Sequence, residues 1–169
     1  MSFSILSRRG AIAALAAAAA TPLLASGAYA QPTRFRAIVV DVTNVQRSGD
    51  VVSADRIARE LPALLQRSFA AYLAPGDHSA PVLRARVDLV TYGSNGSAIS
   101  PLNPYGAKDY IEGVGEVIGP GGRVVASYPL RASVIANPDL TDVTGQSGRL
   151  RTSNLAASFA QWLPGRLGV

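Results

Sequence analysis

Asp109-Tyr-Ile-Glu-Gly-Val-Gly-Glu-Val-Ile118, then Gly119-Pro120-Gly121-Gly122, then Arg123-Val-Val-Ala-Ser-Tyr-Pro-Leu-Arg-Ala-Ser-Val-Ile135: the reading of this run decides the fold. Proline presets φ for the first central position of a turn and glycine accepts positive φ at the next, so Pro120-Gly121 marks a chain reversal. In the second arm Val124, Ala126, Tyr128, Leu130, Ala132 and Val134 fall on one face and Arg123, Ser127 and Arg131 on the other, the period-two alternation of a half-buried strand. In the first arm Ile111, Gly113, Gly115 and Val117 share the inward face. Glycines there leave room for a helix to approach closely, or mark a bulge. Pro129 has no N–H to give a ladder, which puts the second arm at or near a sheet margin. The run is a β-hairpin, and the remaining apolar segments are expected to cover one of its faces.

Working outward, Val82 to Tyr92 alternates Leu83, Ala85, Val87 and Leu89 inward with Arg84, Arg86 and Asp88 outward. If this strand neighbours the first hairpin arm, its arginines meet Glu112 and Glu116 across the ladder. That pattern reads first as a solvated face and second as a binding face. Further upstream, Arg34 to Thr43 sends Ile38, Val40 and Val42 one way and Phe35, Ala37 and Val39 the other. Two apolar faces predict a central strand. Asn44 to Asp50 reads as a loop. Val51 to Leu73 reads as a helix on the spacing of Ile57, Leu61, Leu64, Leu65, Phe69 and Tyr72, with Ser53 as its N-cap. Pro62 predicts either a kink or a break near Glu60, because proline removes a donor and clashes with the preceding turn. Polar stretches follow at Gly93 to Lys108 and at Asn137 to Arg151. A last helix then starts at the caps Thr152-Ser153, turns Leu155, Phe159, Trp162 and Leu163 to the core, and is closed by Pro164-Gly165. Strand, helix, three strands, helix is an α+β pattern: a two-layer sandwich of a roughly four-stranded, antiparallel-rich sheet with two helices on one face.

Met1 to Ala30 is set aside from this fold. Arg8 and Arg9 precede an Ala-rich apolar run, and Ala28-Tyr29-Ala30 has the small-x-small pattern of a cleavage site, so residues 31–169 are expected to form the single mature domain. Ser7-Arg8-Arg9-Gly10-Ala11-Ile12 resembles a twin-arginine export signal, with Ala11 where a bulkier apolar residue is usual. Ordinary secretory export and an uncleaved anchor are the alternatives, and Pro22 with the Ala content makes a poor membrane span. Every version places the domain outside the cytoplasm, in the periplasm. The chain has 16 basic and 11 acidic residues and no cysteine. Removing Arg8 and Arg9 leaves fourteen against eleven, near +3, a weak field that argues with export against nucleic acid and allows at most peripheral contact with an anionic membrane. Without cysteine there are no disulfides, thiol chemistry, thiolate metal sites or lipid anchor of the bacterial lipoprotein kind.

No catalytic set emerges. Asp77-His78-Ser79 holds the lone histidine, but three consecutive loop residues point apart and no nucleophile elbow is present. Glu112 and Glu116 lie about 13 Å apart on one strand, too far for paired acid–base work. No cofactor or metal is expected, and Pro120-Gly121 sits between strands, not before a helix, so it is no phosphate loop. The candidates are for binding: Leu102 and Tyr105 in the long Gly93 to Lys108 segment, since structureless loops of that length tend to be functional or disordered, and Arg84 and Arg86 on the outer strand face. The βαβββα order behind an export signal resembles small accessory proteins of bacterial envelopes: the lipopolysaccharide-assembly lipoprotein, auxiliary lipoproteins of ABC transporters, and α+β domains of curli-secretion and Tol-system proteins. The resemblance spans Arg34 to about Leu163, implies an envelope protein or lipid partner, and assigns no site residue. The missing cysteine departs from most of those proteins. An exported non-enzymatic accessory protein is the leading expectation, a lipid or small-molecule carrier the second, and a small hydrolase using Asp41, Asp88, His78 or Ser79 the third.

Overall fold

The computed structural model describes residues 34–93, 108–136 and 145–169. Their elements are β1 (Ala37–Asp41), α1 (Thr43–Arg47), α2 (Val51–Ser68), a single 3-10 turn (Ala70–Tyr72), β2 (Val82–Thr91), β3 (Lys108–Ile118), β4 (Val124–Ile135) and α3 (Gln146–Leu167). The four strands form one sheet in the order β1-β2-β3-β4, with β1 parallel to β2 and the other pairs antiparallel. There are three helices among the described residues, one more than the sequence pattern predicts; α2 and α3 pack on the sheet and on each other. The additional α1 lies in the segment read as a loop, where Val45 is fully buried.

The hairpin forms as expected. Gly122 donates its N–H to the Gly119 carbonyl across Pro120-Gly121, and Gly121 takes φ 82°. A bulge between Val117 and Ile118 in the β3–β4 register turns Val125 toward the core and leaves Val124 exposed, so the expected face holds only from Ala126 onward. A second bulge, between Val87 and Leu89, has the same effect on β2. Leu83, Ala85 and Val87 are buried as predicted, but past Asp88 the phase flips, so that Leu89 is exposed and Val90 packs on the core.

The inward glycines of β3 set how closely α3 approaches. A Cβ at Gly115 would lie 2.8 Å from Leu163 Cδ1, and one at Gly113 would meet Phe159 and collide with the carbonyl of Arg86. Both readings of these glycines hold, because Gly113 also pairs with Val87 at the β2 bulge. Phe159, Leu163 and Leu167 take the space over the glycines, which leaves Trp162 on the flank of α3, 54% exposed, contrary to its expected place in the core.

Other expectations are corrected. β1 is an edge strand, not central. Its second apolar face comes from Phe35, which lies ahead of the strand, bridges to Leu73 and packs edge-on against Phe69 at 5.8 Å, while Val39 faces solvent. Helix α2 is capped by Asp50, whose carboxylate accepts from the Ser53 N–H at 3.1 Å, and Ser53 turns its hydroxyl inward. α2 runs unbroken through Pro62. The proline costs about 3 kcal/mol, but Ile57, Leu61 and Leu65 are fully buried on either side of it, each contributing about 1.5–3 kcal/mol. The carbonyl that loses its donor belongs to exposed Ala58, where water can serve it. Helix α3 begins at Gln146, well ahead of Thr152, and continues through Pro164 to a left-handed Gly168. There Gly168 and Val169 donate to the carbonyls of Gly165 and Pro164, the paired bonds of a Schellman end.

Candidate binding face and its buried anchor

Opposite the core that α2 and α3 cover, the sheet face exposes Val39 and Leu89, and strand register fixes what else it presents. Val39, Arg84, Glu116 and Ser127 make one row, and Asp41, Arg86, Val114 and Pro129 the next. Beyond the β2 bulge Leu89, Glu112 and Arg131 make a third. Glu116 is held by both sequence candidates: Arg84 Nε donates to Oε2 at 2.6 Å and Arg86 Nη1 to Oε1 at 2.7 Å. The expected cross-strand pairing is therefore present, but Glu116 is not part of a solvated face. The two arginines enclose its carboxylate, which is 7% exposed. Arg86 continues the chain to Asp88 at 2.8 Å, and Asp88 accepts from Asn44 Nδ2 at 2.6 Å. The hydrogen bond to Asp88 raises the guanidinium pKa of Arg86. Asp41 accepts from the Thr43 N–H at 3.0 Å, and its hydrogen bonds to Thr43 hold its carboxyl below the usual value. Glu112 pairs with Arg131, whose guanidinium also lies 4.1 Å from the centre of the Tyr110 ring. Arg84 and Arg86 are thus brought together on one face. Leu102 and Tyr105 lie outside the described residues.

A second polar cluster, missed from sequence, sits where β2 ends and β3 begins. Arg151 on α3 and Asp109 at the start of β3 form an ion pair with side chains 2% and 1% exposed, Arg151 Nε donating to Asp109 Oδ2 at 2.8 Å. Both also hold Gly93: its N–H donates to Asp109 Oδ1 and its carbonyl accepts from Arg151 Nη2. The Tyr92 ring lies 5.1 Å from the Arg151 guanidinium, and its hydroxyl bonds to Ser53 on α2 and Thr152 on α3. Polar residues at core positions break the apolar periodicity, which is why the first turns of α3 read as loop.

Burial raises the Tyr92 pKa above its ordinary value. A raised folded-state pKa stabilises the protonated form, so this contribution is complete below pH about 10 and is lost as pH rises through the folded value. Tyr92→Phe is expected to cost about 1–2 kcal/mol at pH 7 through its two lost hydrogen bonds. It should also flatten the alkaline fall in stability. Urea unfolding of both proteins at pH 7 and pH 11 checks this: an unchanged midpoint at pH 7 would contradict it.

The residues named for hydrolysis are not assembled. His78 lies in an exposed turn in which Asp77 accepts from the Ser79 N–H and hydroxyl, just before β2. Those bonds lower the Asp77 pKa. Asp88 is six strand positions from Val82, about 20 Å away by strand rise, and Asp41 lies opposite Arg86, at the same end of the sheet. Among the described residues no group of three or more His, Asp or Glu gathers as a metal site would require.

No family model matches the sequence, and no curated protein matches it. Two solved structures are similar to the chain: rare lipoprotein B from Shewanella oneidensis, 12% identical with a TM-score of 0.42, and a minor lipoprotein from Acinetobacter baumannii, 12% identical with a TM-score of 0.37. The first match covers 78% of this chain and 93% of the other, the second 78% and 94%. Both are bacterial lipoproteins, the kind of protein that the element order resembles. At these TM-scores the likeness does not extend to site residues or to role.

Proposed function

We propose that the chain is an exported, non-enzymatic accessory protein of the bacterial envelope that holds a protein partner on the open face of its sheet. Delivery to the periplasm rests on the Met1 to Ala30 pattern. The observation that carries the binding role is the sheet face itself. It carries the Arg84–Glu116–Arg86–Asp88 chain, which ties β2 to β3, and is studded with Val39 and Leu89, which are 46% and 42% exposed. Its charges balance, with Arg84, Arg86, Arg131 and Lys108 set against Asp41, Asp88, Glu112 and Glu116. Alternating signs at strand spacing suit a protein surface of complementary pattern, whereas an anionic membrane is attracted by an excess of one sign. Leu102 and Tyr105 are proposed to add to the same contact, since the segment that carries them joins the end of β2 at Thr91 to the start of β3 at Lys108. The carrier role would need an apolar cavity between helices and sheet. That layer is occupied by Phe35, Ile57, Phe69, Leu83, Ile111 and Phe159, all fully buried.

A photoreactive residue at Leu89, with a matched control at exposed Arg67 on α2, tests this in the living cell. A discrete protein adduct at Leu89 alone is the expected result. Equal adducts, or none, at both positions would remove the sheet face as the contact.

A further inference from the structure

We infer that a second site lies along the free edge of β4, where an extended peptide adds as a fifth strand, with a large apolar side chain seated beside Trp162 and a carboxylate on Arg166. β4 is the last strand of the sheet, and among the described residues nothing pairs with its outer edge. Arg166 Nε donates to the Pro129 carbonyl at 2.9 Å, so the backbone groups of Pro129 point away from β3. In an antiparallel ladder alternate residues point the same way, which turns the N–H and C=O of Arg131, Ser133 and Ile135 to the open edge as well. Pro129 and Arg166 block pairing toward the hairpin turn. The remaining stretch, Arg131 to Ile135, is long enough for a short added strand.

Two hollows flank this edge on opposite sides and share Leu130 and Arg166. One, of about 390 Å³, includes Asp88, Glu112, Val114, Pro129 and Arg131, with Asp88 already held by Arg86 and Glu112 by Arg131. The other, of about 430 Å³, is lined by Leu130, Gln161, Trp162, Gly165 and Arg166. Side chains of a strand alternate between faces, so successive residues of an added strand fall alternately toward the two hollows. The second is apolar and bordered by half-exposed Trp162, and it suits an aromatic or large aliphatic side chain. Arg166 has no carboxylate partner among the described residues, and it lines both hollows. An apolar residue next to an acidic one is the sequence the edge fits. The first hollow borders the open face at Glu112, Val114 and Arg131, but the Trp162 hollow and the outer amides of β4 do not belong to that face, so the peptide titration can fail while a Leu89 crosslink stands, and the reverse.

Trp162 is the only tryptophan, so its fluorescence reports the site directly. The protein is titrated with the blocked octapeptide Thr-Val-Thr-Phe-Asp-Val-Thr-Val and with the same peptide carrying Lys in place of Asp. Hydrogen exchange is followed at the β4 amides. The expected result is a saturable blue shift with the acidic peptide, binding at least 10-fold weaker for the Lys peptide and for Arg166→Gln, and slowed exchange at Arg131 and Ser133. The Arg166→Gln protein is first checked for an unchanged melting temperature, and the two-peptide comparison on the parent protein stands without it. No saturable shift, or equal affinity for both peptides, would overturn the inference. A shift that grows with protein concentration alone would also overturn it, because a second copy of the chain would then hold the edge.

Discussion

Replacing Arg151 with methionine is expected to destabilise the protein by about 3–5 kcal/mol, the range for breaking a buried ion pair from one side. The loss follows from what remains. Asp109 is 1% exposed and would keep a buried carboxylate stripped of its Arg151 partner, and the Gly93 carbonyl would lose the Arg151 donor. Replacing both charges tests the cause. In Arg151→Met with Asp109→Leu no buried charge is stranded, and since apolar pairs often substitute for buried ion pairs at little cost, the double variant should recover more than half of the loss. The recovery stays incomplete because the Gly93 N–H loses Asp109 as acceptor. Urea unfolding midpoints of the parent, single and double variants decide it. A single variant within about 1 kcal/mol of the parent, far below the range for a stranded buried charge, would show that the pair does not anchor this end of the sheet.

Gly113→Ala is expected to be the most damaging small substitution in the sheet. The added methyl collides with the carbonyl of Arg86, part of the neighbouring strand's backbone, and also crowds Phe159. Strand spacing must open to relieve it, which places the cost at or above the upper end of the ~1–3 kcal/mol range for overpacking. Gly115→Ala adds the same atom, but it meets the tips of Leu163 and Leu167, which can rotate away. Its cost should stay near the lower end of that range. Thermal melts separate them: Gly113→Ala should lower the midpoint at least twice as far as Gly115→Ala. Equal shifts would mean that helix packing, not strand spacing, sets the requirement for glycine here.

The contrast between these glycines shows how far local pattern reached. The hairpin, its Pro120-Gly121 turn and the inward glycines were legible because each depends on residues near in sequence. So were Arg84 and Arg86 against Glu116, once strand adjacency was assumed. Edge and centre were not legible for β1, because Phe35 is apolar for a contact with Phe69 that lies 34 positions on. Leu89 and Val124 were assigned to the wrong face because a bulge shifts the phase by one residue without a marker in the sequence. Trp162 was misplaced because the helix stripe that it shares with Phe159 is narrower than apolar spacing suggests, the close approach over Gly113 and Gly115 admitting one row of side chains. The Asp109–Arg151 anchor left no trace, since its partners come from β3 and α3 and each alone reads as a surface charge.

The central claim, that the open sheet face is the partner surface, is tested most directly by an in-cell photocrosslinking scan. Photoreactive residues are placed one at a time at Val39, Leu89, Tyr110, Glu112 and Val114 on the sheet, and at exposed Arg59, Ala63, Arg67 and Ala157 on the helices. The account predicts one common adduct mass recurring at the sheet positions and missing from the helix positions. Adducts clustered on the helices, with none on the sheet, would contradict it.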